Sequence, residues 1–162
     1  MKFSFVKPTL PTRGAVVVGV LEKRKLPPTA SALDRKASGA IGRAMKASRF
    51  EGRSRQFLSI LAPAGLPFHR IVLVGLGAQK EIDELAAQAL GGAVVANLNG
   101  AGETAATVFL DDLVAADQFA FGARLRAYRF DKYRTREKAK DKPSLRALTV
   151  AAAAPAAAVA AS

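Results

Sequence analysis

The clearest candidate for chemistry is a glycine-containing turn after a stretch predicted to be a buried strand, from Arg70 to Val74. That stretch ends in Gly75-Leu76-Gly77. Glycines in this position let backbone N–H groups approach an anion, and the start of the next helix favours negative charge. However, Lys80 occupies the position of the usual third glycine, and acidic residues open the following helix. Gly75 and Gly77 are therefore candidates for an anion or nucleotide loop, with a tight strand-to-helix connection as the alternative.

Other reactive side chains are few. Asp111-Asp112 is a pair of carboxylates, but neighbours on a strand end point to opposite faces, so a turn cap is the more ordinary interpretation. The chain has 1 His, His69, and 0 Cys, which excludes thiolate metal sites, disulfides and a cysteine nucleophile. No serine lies in a Gly-x-Ser-x-Gly elbow. We therefore assign no catalytic residue, no metal ligand and no cofactor to this chain.

Charge suggests a different class of function. The 162 residues include 25 Lys and Arg against 13 Asp and Glu, a net charge of +12 that favours polyanionic partners such as DNA. The excess lies in the N-terminal third and in an aromatic-rich region from Arg124 to Lys142. A solvated face, or a surface facing an acidic partner subunit, is the alternative. The candidate nucleic-acid contacts are Lys23, Arg24, Lys25, Arg43, Lys46, Arg129, Lys132 and Arg134.

The elements that must position these residues follow from hydrophobic periodicity. The predicted strands are Lys2 to Val6, Ala15 to Leu21, Phe57 to Leu61, Arg70 to Val74, Thr104 to Leu110 and Leu145 to Val150. The predicted helices are Ser31 to Ala47, Glu81 to Leu98 and Ala115 to Tyr128. Strands that alternate with helices predict an α/β fold, a three-layer α/β/α domain with a mixed six-stranded sheet. Gly91-Gly92 is expected to weaken the second helix by about 1 kcal/mol for each glycine.

The last dozen residues differ from the rest. Residues 151–162 are almost all alanine, carry no charge and are interrupted by Pro155, a composition typical of a linker. We therefore predict one domain over residues 1–150 and a linker over residues 151–162 that leads to a further domain. Because no apolar run reaches the roughly 20 residues of a membrane span, we expect a cytoplasmic protein with no membrane contact.

The order of these features resembles the N-terminal domain of the leucyl aminopeptidases, also called cytosol aminopeptidases. The resemblance covers about residues 2–150. Its matching stretches are Ala15 to Leu21, Leu33-Asp34 with Ser38 to Ile41, Phe50 to Gly52, Arg70 to Gly77, and Tyr128-Arg-Phe-Asp-Lys-Tyr-Arg134.

The resemblance implies a macro-domain-like fold joined to a larger C-terminal catalytic domain. In that family the catalytic domain uses two divalent metals, manganese or zinc, to release N-terminal residues such as leucine from peptides. The family forms hexamers that its N-terminal domains help to hold together, and some bacterial members bind DNA. The partners implied are the chain's own catalytic domain, neighbouring subunits and DNA. The family's metal-binding signature, Asn-Thr-Asp-Ala-Glu-Gly-Arg, does not occur in this sequence. A stand-alone nucleotide or ADP-ribose binder is a further alternative, because the macro-like fold would place a pocket at Gly75 to Gly77.

Overall fold

The computed structural model describes residues 1–133 and 143–152. Within these residues it contains six strands and four α-helices. The strands are β1 (Lys2–Val6), β2 (Ala15–Leu21), β3 (Phe57–Leu61), β4 (Arg70–Gly77), β5 (Ala105–Phe109) and β6 (Ala147–Ala151). The helices are α1 (Pro28–Lys36), α2 (Ala40–Lys46), α3 (Glu84–Gly100) and α4 (Ala116–Tyr133). Short 3₁₀ turns follow β2 at Glu22–Arg24 and β4 at Gln79–Glu81.

The strands form one mixed sheet in the order β1-β6-β5-β2-β4-β3. All neighbours are parallel except β3, which is antiparallel to β4. The central strand β2 pairs with both β4 and β5, and its residues are almost all buried. A strand buried on both faces reads as a continuous apolar run, which explains the Val-rich sequence of β2. The predicted six-stranded mixed sheet is confirmed.

Alternation along β2 divides the core into two halves. Ala15 and Val17 point to one face of the sheet, where they pack with α3 and α4. Val16, Val18 and Val20 point to the other face, where they pack with α1 and α2. Each fully buried valine or leucine stabilises the fold by about 1.5–3 kcal/mol. The predicted three-layer α/β/α architecture is therefore confirmed.

The prediction of one continuous helix over Ser31 to Ala47 is wrong, because the structure has two helices there. The chain breaks at Ser38-Gly39, where both residues have positive φ, of 55° and 80°, and α2 then starts afresh. The carboxylate of Asp34, in α1, accepts a hydrogen bond from the backbone N–H of Ile41 at 2.8 Å. A carboxylate that caps the first turn of the next helix stabilises the break, and the apolar period does not reveal it.

The other observed helix and strand boundaries differ from the predicted ones by a few residues. Helix α3 starts at Glu84 rather than Glu81, because the side chain of Asp83 caps it by accepting from the Ala86 N–H. Strand β6 includes Ala151, and Ala152 is buried too, so the first two residues of the predicted linker pack with the domain. The remaining residues, 153–162, lie outside the described part of the chain. No helix among the described residues is long and apolar enough to cross a membrane.

Candidate functional site

The first place to look for a site is the crevice at the carboxyl ends of the parallel strands, where open α/β sheets bind their ligands. Here that crevice is filled by the chain itself. The space left between β2, β4, β5 and the start of α4 is only about 10 Å³, about enough for one water molecule. Leu76 lies across Gly19, close enough that a Cβ at Gly19 would be 2.6 Å from Leu76 Cδ1. This part of the crevice therefore has no room for a nucleotide in this conformation. An open groove of about 370 Å³, lined by Thr29 and Leu33, borders it at Phe109.

The predicted anion loop lies at the same edge of the sheet. The backbone N–H of Gly75 donates to the carbonyl of Gln56 at 2.7 Å, and that of Gly77 donates to the carbonyl of Gly52 at 2.9 Å. A Cβ at Gly75 would lie 1.8 Å from the carbonyl oxygen of Arg53. Glycine at position 75 thus permits a close approach of the 52–56 segment to β4. The backbone N–H groups of both glycines already donate to carbonyls of the chain itself. This geometry argues against anion binding, and the anion loop stays a prediction.

The amino end of α1 is the next candidate for an anion site, because the first N–H groups of a helix carry partial positive charge. That position is taken by Asp111. Its Oδ2 accepts from the Thr29 N–H at 2.9 Å, and its Oδ1 accepts from the Thr29 hydroxyl. Asp111 holds this position from a turn after β5 with φ of 52°. The carboxylate therefore caps a helix from another part of the chain, where a bound anion would otherwise sit.

His69 is mostly exposed and lies beside the buried carboxylate of Glu103 at the opposite, amino edge of the sheet. Its Nε2 lies 2.7 Å from Oε2 of Glu103, and Nε of Arg70 donates to Oε1 of Glu103 at 2.7 Å. The Glu103 side chain is only 5% exposed, and both partners lie within hydrogen-bond distance of its carboxylate. The sequence analysis did not single out Glu103, although a charged residue at the start of a buried strand is a signal that a partner lies near. Glu103 thus ties the starts of β4 and β5 together.

No metal site was found in residues 1–133 and 143–152. Nowhere in this part of the chain do three His, Cys, Asp or Glu side chains gather as they would around a metal ion. The residues described here therefore do not fit the metal pair that the family resemblance implies for a catalytic domain.

The basic residues predicted to contact nucleic acid do not share one surface. Arg43 and Lys46 lie on α2, and Arg129 lies on α4 across the sheet. Lys23, Arg24 and Lys25 are in and after the turn that follows β2. Two of the cations serve the fold, because Arg24 Nε donates to the carbonyl of Phe50 at 2.9 Å and Arg43 donates to the carbonyl of Ser38. The side chain of Lys132 and all of Arg134 lie outside what the structure describes.

Helices α3 and α4 pack with their backbones in contact. A Cβ at Gly91 would lie 2.1 Å from the carbonyl oxygen of Phe119, and one at Gly122 would lie 1.9 Å from the carbonyl oxygen of Gln88. Of the two glycines that were expected to weaken the second helix, Gly91 therefore allows this close packing, whereas a Cβ at Gly92 would make only ordinary contacts of 3.6 Å or more. What they cost in helix propensity is offset by the contact they permit between the two helices.

The outer surface of this helix pair carries an open groove of about 420 Å³, which we call the helix-face groove. Its apolar walls are unusually exposed: Leu85 is 74% exposed, Phe121 is 55% exposed and Leu125 is 46% exposed. The groove is lined by Arg55, Leu85, Gln88, Ala89, Gly92, Ala93, Phe121, Gly122, Leu125, Arg126 and Arg129. The apolar spacing of α3 did not predict that Leu85 would be exposed.

Comparison with known proteins identifies the fold and the family. A family model described as "Cytosol aminopeptidase family, N-terminal domain" matches residues 17–137. A probable cytosol aminopeptidase of Caulobacter vibrioides is 37% identical over 158 residues, which cover 96% of this chain and 32% of the relative. One of Methylobacterium radiotolerans is 43% identical over 123 residues, covering 70% of this chain and 24% of the relative. The chain thus spans about a third of the length of the first of these relatives.

Solved structures agree on the fold. A mutant of tomato leucine aminopeptidase superposes with a TM-score of 0.77 at 19% identity, over 99% of this chain and 34% of that one. The macro domain of ganglioside induced differentiation associated protein 2 superposes with a TM-score of 0.67 at 11% identity, over 93% of this chain and 76% of that one. The predicted macro-like fold is confirmed. Because the family model covers most of the chain, this chain belongs to the cytosol aminopeptidase family and corresponds to its N-terminal domain.

Proposed function

We infer that this domain is a non-catalytic assembly module of a metal-dependent leucyl aminopeptidase. The observation that carries the inference is the filled crevice at the carboxyl edge of the sheet, where only about 10 Å³ remains between β2, β4 and β5. A domain whose ligand crevice is closed by its own side chains has no room there for a peptide substrate. An exposed apolar surface lies on α3 and α4, and a surface of that kind suits contact with another protein.

The activity of the whole protein belongs to this proposal. The relatives are named cytosol aminopeptidases and are about three times longer than this chain, so hydrolysis of N-terminal residues is assigned to the remainder of such a protein. That remainder would carry two divalent metals, manganese or zinc. In this proposal no residue of the described domain takes part in the hydrolysis.

The assembly role has two parts. The domain packs against its own catalytic domain and against neighbouring subunits of a hexamer, and a change in those contacts offers a route to regulation. The names of the relatives support a cytoplasmic location for the proposed enzyme.

Hydrolysis of leucine p-nitroanilide tests the non-catalytic part of the proposal. The purified chain should release no p-nitroaniline with or without manganese, while a full-length cytosol aminopeptidase measured beside it should. Hydrolysis that copurifies with the chain through successive columns would overturn the proposal. Thermal unfolding with added Mn²⁺ or Zn²⁺ gives a second measurement, in which the melting temperature should not rise.

Nucleic-acid binding is the second candidate, and the net charge of +12 favours it. Fluorescence anisotropy with a labelled DNA duplex at about 50 mM salt tests it, because phosphate contacts give an affinity that falls steeply as salt rises. Arg43 and Lys46 lie on one layer and Arg129 on the other, so Lys46→Glu and Arg129→Glu separate the two surfaces. If neither variant changes the salt dependence, both surfaces are excluded as the binding face.

A further inference from the structure

The open groove beside the closed crevice has two unlike walls. It measures about 370 Å³, and we call it the α1 groove. One wall is a single face of α1, because Thr29, Leu33 and Lys36 all line the groove and recur at helical spacing. The other wall is residues 8–10, in the connection between β1 and β2. A groove between a helix and a stretch of backbone offers one ligand both an apolar surface and hydrogen-bonding groups.

The backbone of residues 8–10 has unused hydrogen-bonding groups. Pro8 and Pro11 fix their own φ angles and favour extended backbone in the residue before each of them. Across the described part of the chain, neither Thr9 nor Leu10 makes a hydrogen bond through its N–H or C=O group. A peptide that lies alongside in extended form would pair with these groups, as a strand does when it is added to a sheet edge.

The helical wall suits apolar side chains. Leu33 and Phe109 are almost fully buried, so the groove surface that they line is its floor. Ala32 lies next to Leu33 and adds only a methyl group, while the exposed Pro8 and Pro28 form apolar rims. Successive side chains of an extended peptide point to opposite sides, so every second side chain faces this floor. A peptide with apolar residues at alternate positions therefore fits the groove.

The charge around the groove favours a carboxylate. Lys36 lines the groove, is exposed and has no ion-pair partner within the residues that the structure describes. Its full positive charge outweighs the half negative charge that the helix dipole places at this end of α1. Of the acidic residues in segments 7–13, 25–36 and 109–112, Asp34 and Asp111 are engaged in helix caps and Asp112 is exposed. The other charged residues of these segments are all cations: Lys7, Arg13, Lys25 and Arg35.

The length of the groove sets the length of the ligand. From Thr29 to Lys36 the helix advances by about 10 Å, at about 1.5 Å for each residue. An extended peptide covers that distance in about three residues. We propose that the α1 groove binds short apolar peptides with a free carboxyl end, with the carboxylate on Lys36 and the peptide backbone paired with residues 8–10. This inference rests on the proposed function, because it gives the regulation of a peptidase a ligand of the enzyme's own substrate class.

The experiment is an NMR titration of the ¹⁵N-labelled chain with the tripeptide Leu-Gly-Leu, whose leucines occupy alternate positions. The N–H signals of Thr9, Leu10 and Lys36 should move, while those of α3 and α4 should not. Ala32→Arg places a long side chain over the floor of the groove and should abolish the shifts. Circular dichroism of each variant checks that it folds.

Charge variants test the contact with the carboxylate. Lys36→Gln should raise the dissociation constant about fivefold, and the carboxamide form of the peptide should lose about as much on the wild-type chain. The carboxamide should lose nothing more on Lys36→Gln, because the two changes remove the same contact. Arg35→Gln is the matched control, since it removes the same charge from a neighbour that does not line the groove, and it should stay within about twofold.

The outcomes that overturn the inference are distinct. A chain whose signals do not move in about 10 mM peptide does not bind this ligand class. Equal loss with Lys36→Gln and Arg35→Gln would show only a general effect of net charge. Octanoate that binds as tightly as the peptide would identify an apolar carboxylate without peptide groups as the ligand. Mass spectrometry of the recovered tripeptide separates the two proposals: intact peptide without binding refutes this inference alone, whereas cleaved peptide refutes the proposed function.

Discussion

Two regions of this domain reverse the roles that the fold usually gives them. The crevice at the carboxyl ends of the strands, where an α/β sheet normally receives a ligand, is reduced to about 10 Å³ by Leu76 and its neighbours. The outer face of α3 and α4, which normally meets only water, carries an apolar groove of about 420 Å³. In this domain the space between β2, β4 and β5 is closed, whereas the outer face of a helical layer carries an open apolar groove.

The difference has a physical basis in the size of side chains. At the crevice, glycine at position 19 leaves space that the leucine at position 76 occupies. On the helix pair, Gly91 and Gly122 let the two backbones touch, and the small residues beside them leave a depression on the outside. At the crevice a small residue leaves space that another side chain fills, whereas on the helix pair small residues leave a depression that no side chain of the chain fills.

The contact between α3 and α4 gives the largest expected effect. Gly122→Val would place a Cβ 1.9 Å from the carbonyl oxygen of Gln88, a backbone atom that cannot move alone, so the helices must separate. We expect a loss of about 3 kcal/mol or more in the free energy of unfolding, measured by urea denaturation. Gly100→Ala is the control, because nothing lies within 4 Å of its Cβ position. Equal stability of the two variants would contradict the close packing.

Opening the crevice is the next largest change. Leu76→Ala removes the side chain that lies over Gly19 and should cost about 2 kcal/mol of unfolding free energy, since the site is partly buried. The variant should also gain affinity for small apolar probes, because a cavity lined by apolar side chains stays dry and binds them. A variant as stable as wild type, without such binding, would show that the crevice was not filled by Leu76.

The helix cap supplied by Asp111 should have an intermediate effect. Asp111→Ala leaves the Thr29 N–H and hydroxyl without their carboxylate partner, and the positive φ of 52° becomes less favourable. The loss should be about 1–2 kcal/mol. Asp112→Ala, at the exposed neighbouring position, is the matched control and should change stability less. The reverse order would mean that Asp112, and not Asp111, supplies the carboxylate that caps α1.

Among these regions, a substitution in the helix-face groove should change the free energy of unfolding of the monomeric chain least. Leu85→Gln keeps a good helix former at an exposed position, so the free energy of unfolding of the dilute chain should change by less than about 0.5 kcal/mol. The same substitution in a buried position would cost several times more. A large loss in dilute solution would show that Leu85 is covered within one chain, and the comparison between crevice and groove would fail.

Nucleotide addition should have no effect. A ligand present at 100 times its dissociation constant adds about 2.7 kcal/mol of stability, which a thermal melt detects easily. With only about 10 Å³ in the crevice, ADP-ribose and ATP should leave the melting curve of the chain unchanged. If ADP-ribose stabilises the Leu76→Ala variant alone, the crevice retains its binding geometry behind the leucine. If it stabilises the wild type, the crevice opens in solution.

The layers of the fold could be predicted because their signals are local. The run from Ala15 to Leu21 predicts a buried strand from its own residues, and the apolar period after Glu81 predicts a helix. The break at Ser38-Gly39 could not, since the apolar spacing continues across it and the cap comes from Asp34 in the preceding helix. The state of the candidate anion loop could not be predicted either. Gly75-Leu76-Gly77 matches the local pattern of such a loop, but the carbonyls that accept from its N–H groups belong to a segment about twenty residues earlier.

The sequence by itself determined the α/β/α layering, the six strands of a mixed sheet and membership of the cytosol aminopeptidase family, because periodicity and motif order are properties of neighbouring residues. Only the tertiary structure decided which surfaces are closed and which are open. Those decisions rest on pairs far apart in the chain: Thr29 with Asp111, Arg70 with Glu103, and Gln88 with Gly122. A glycine can belong to a ligand-binding loop, a helix–helix contact or a surface groove. Which of these it forms depends on the atoms that folding places next to it.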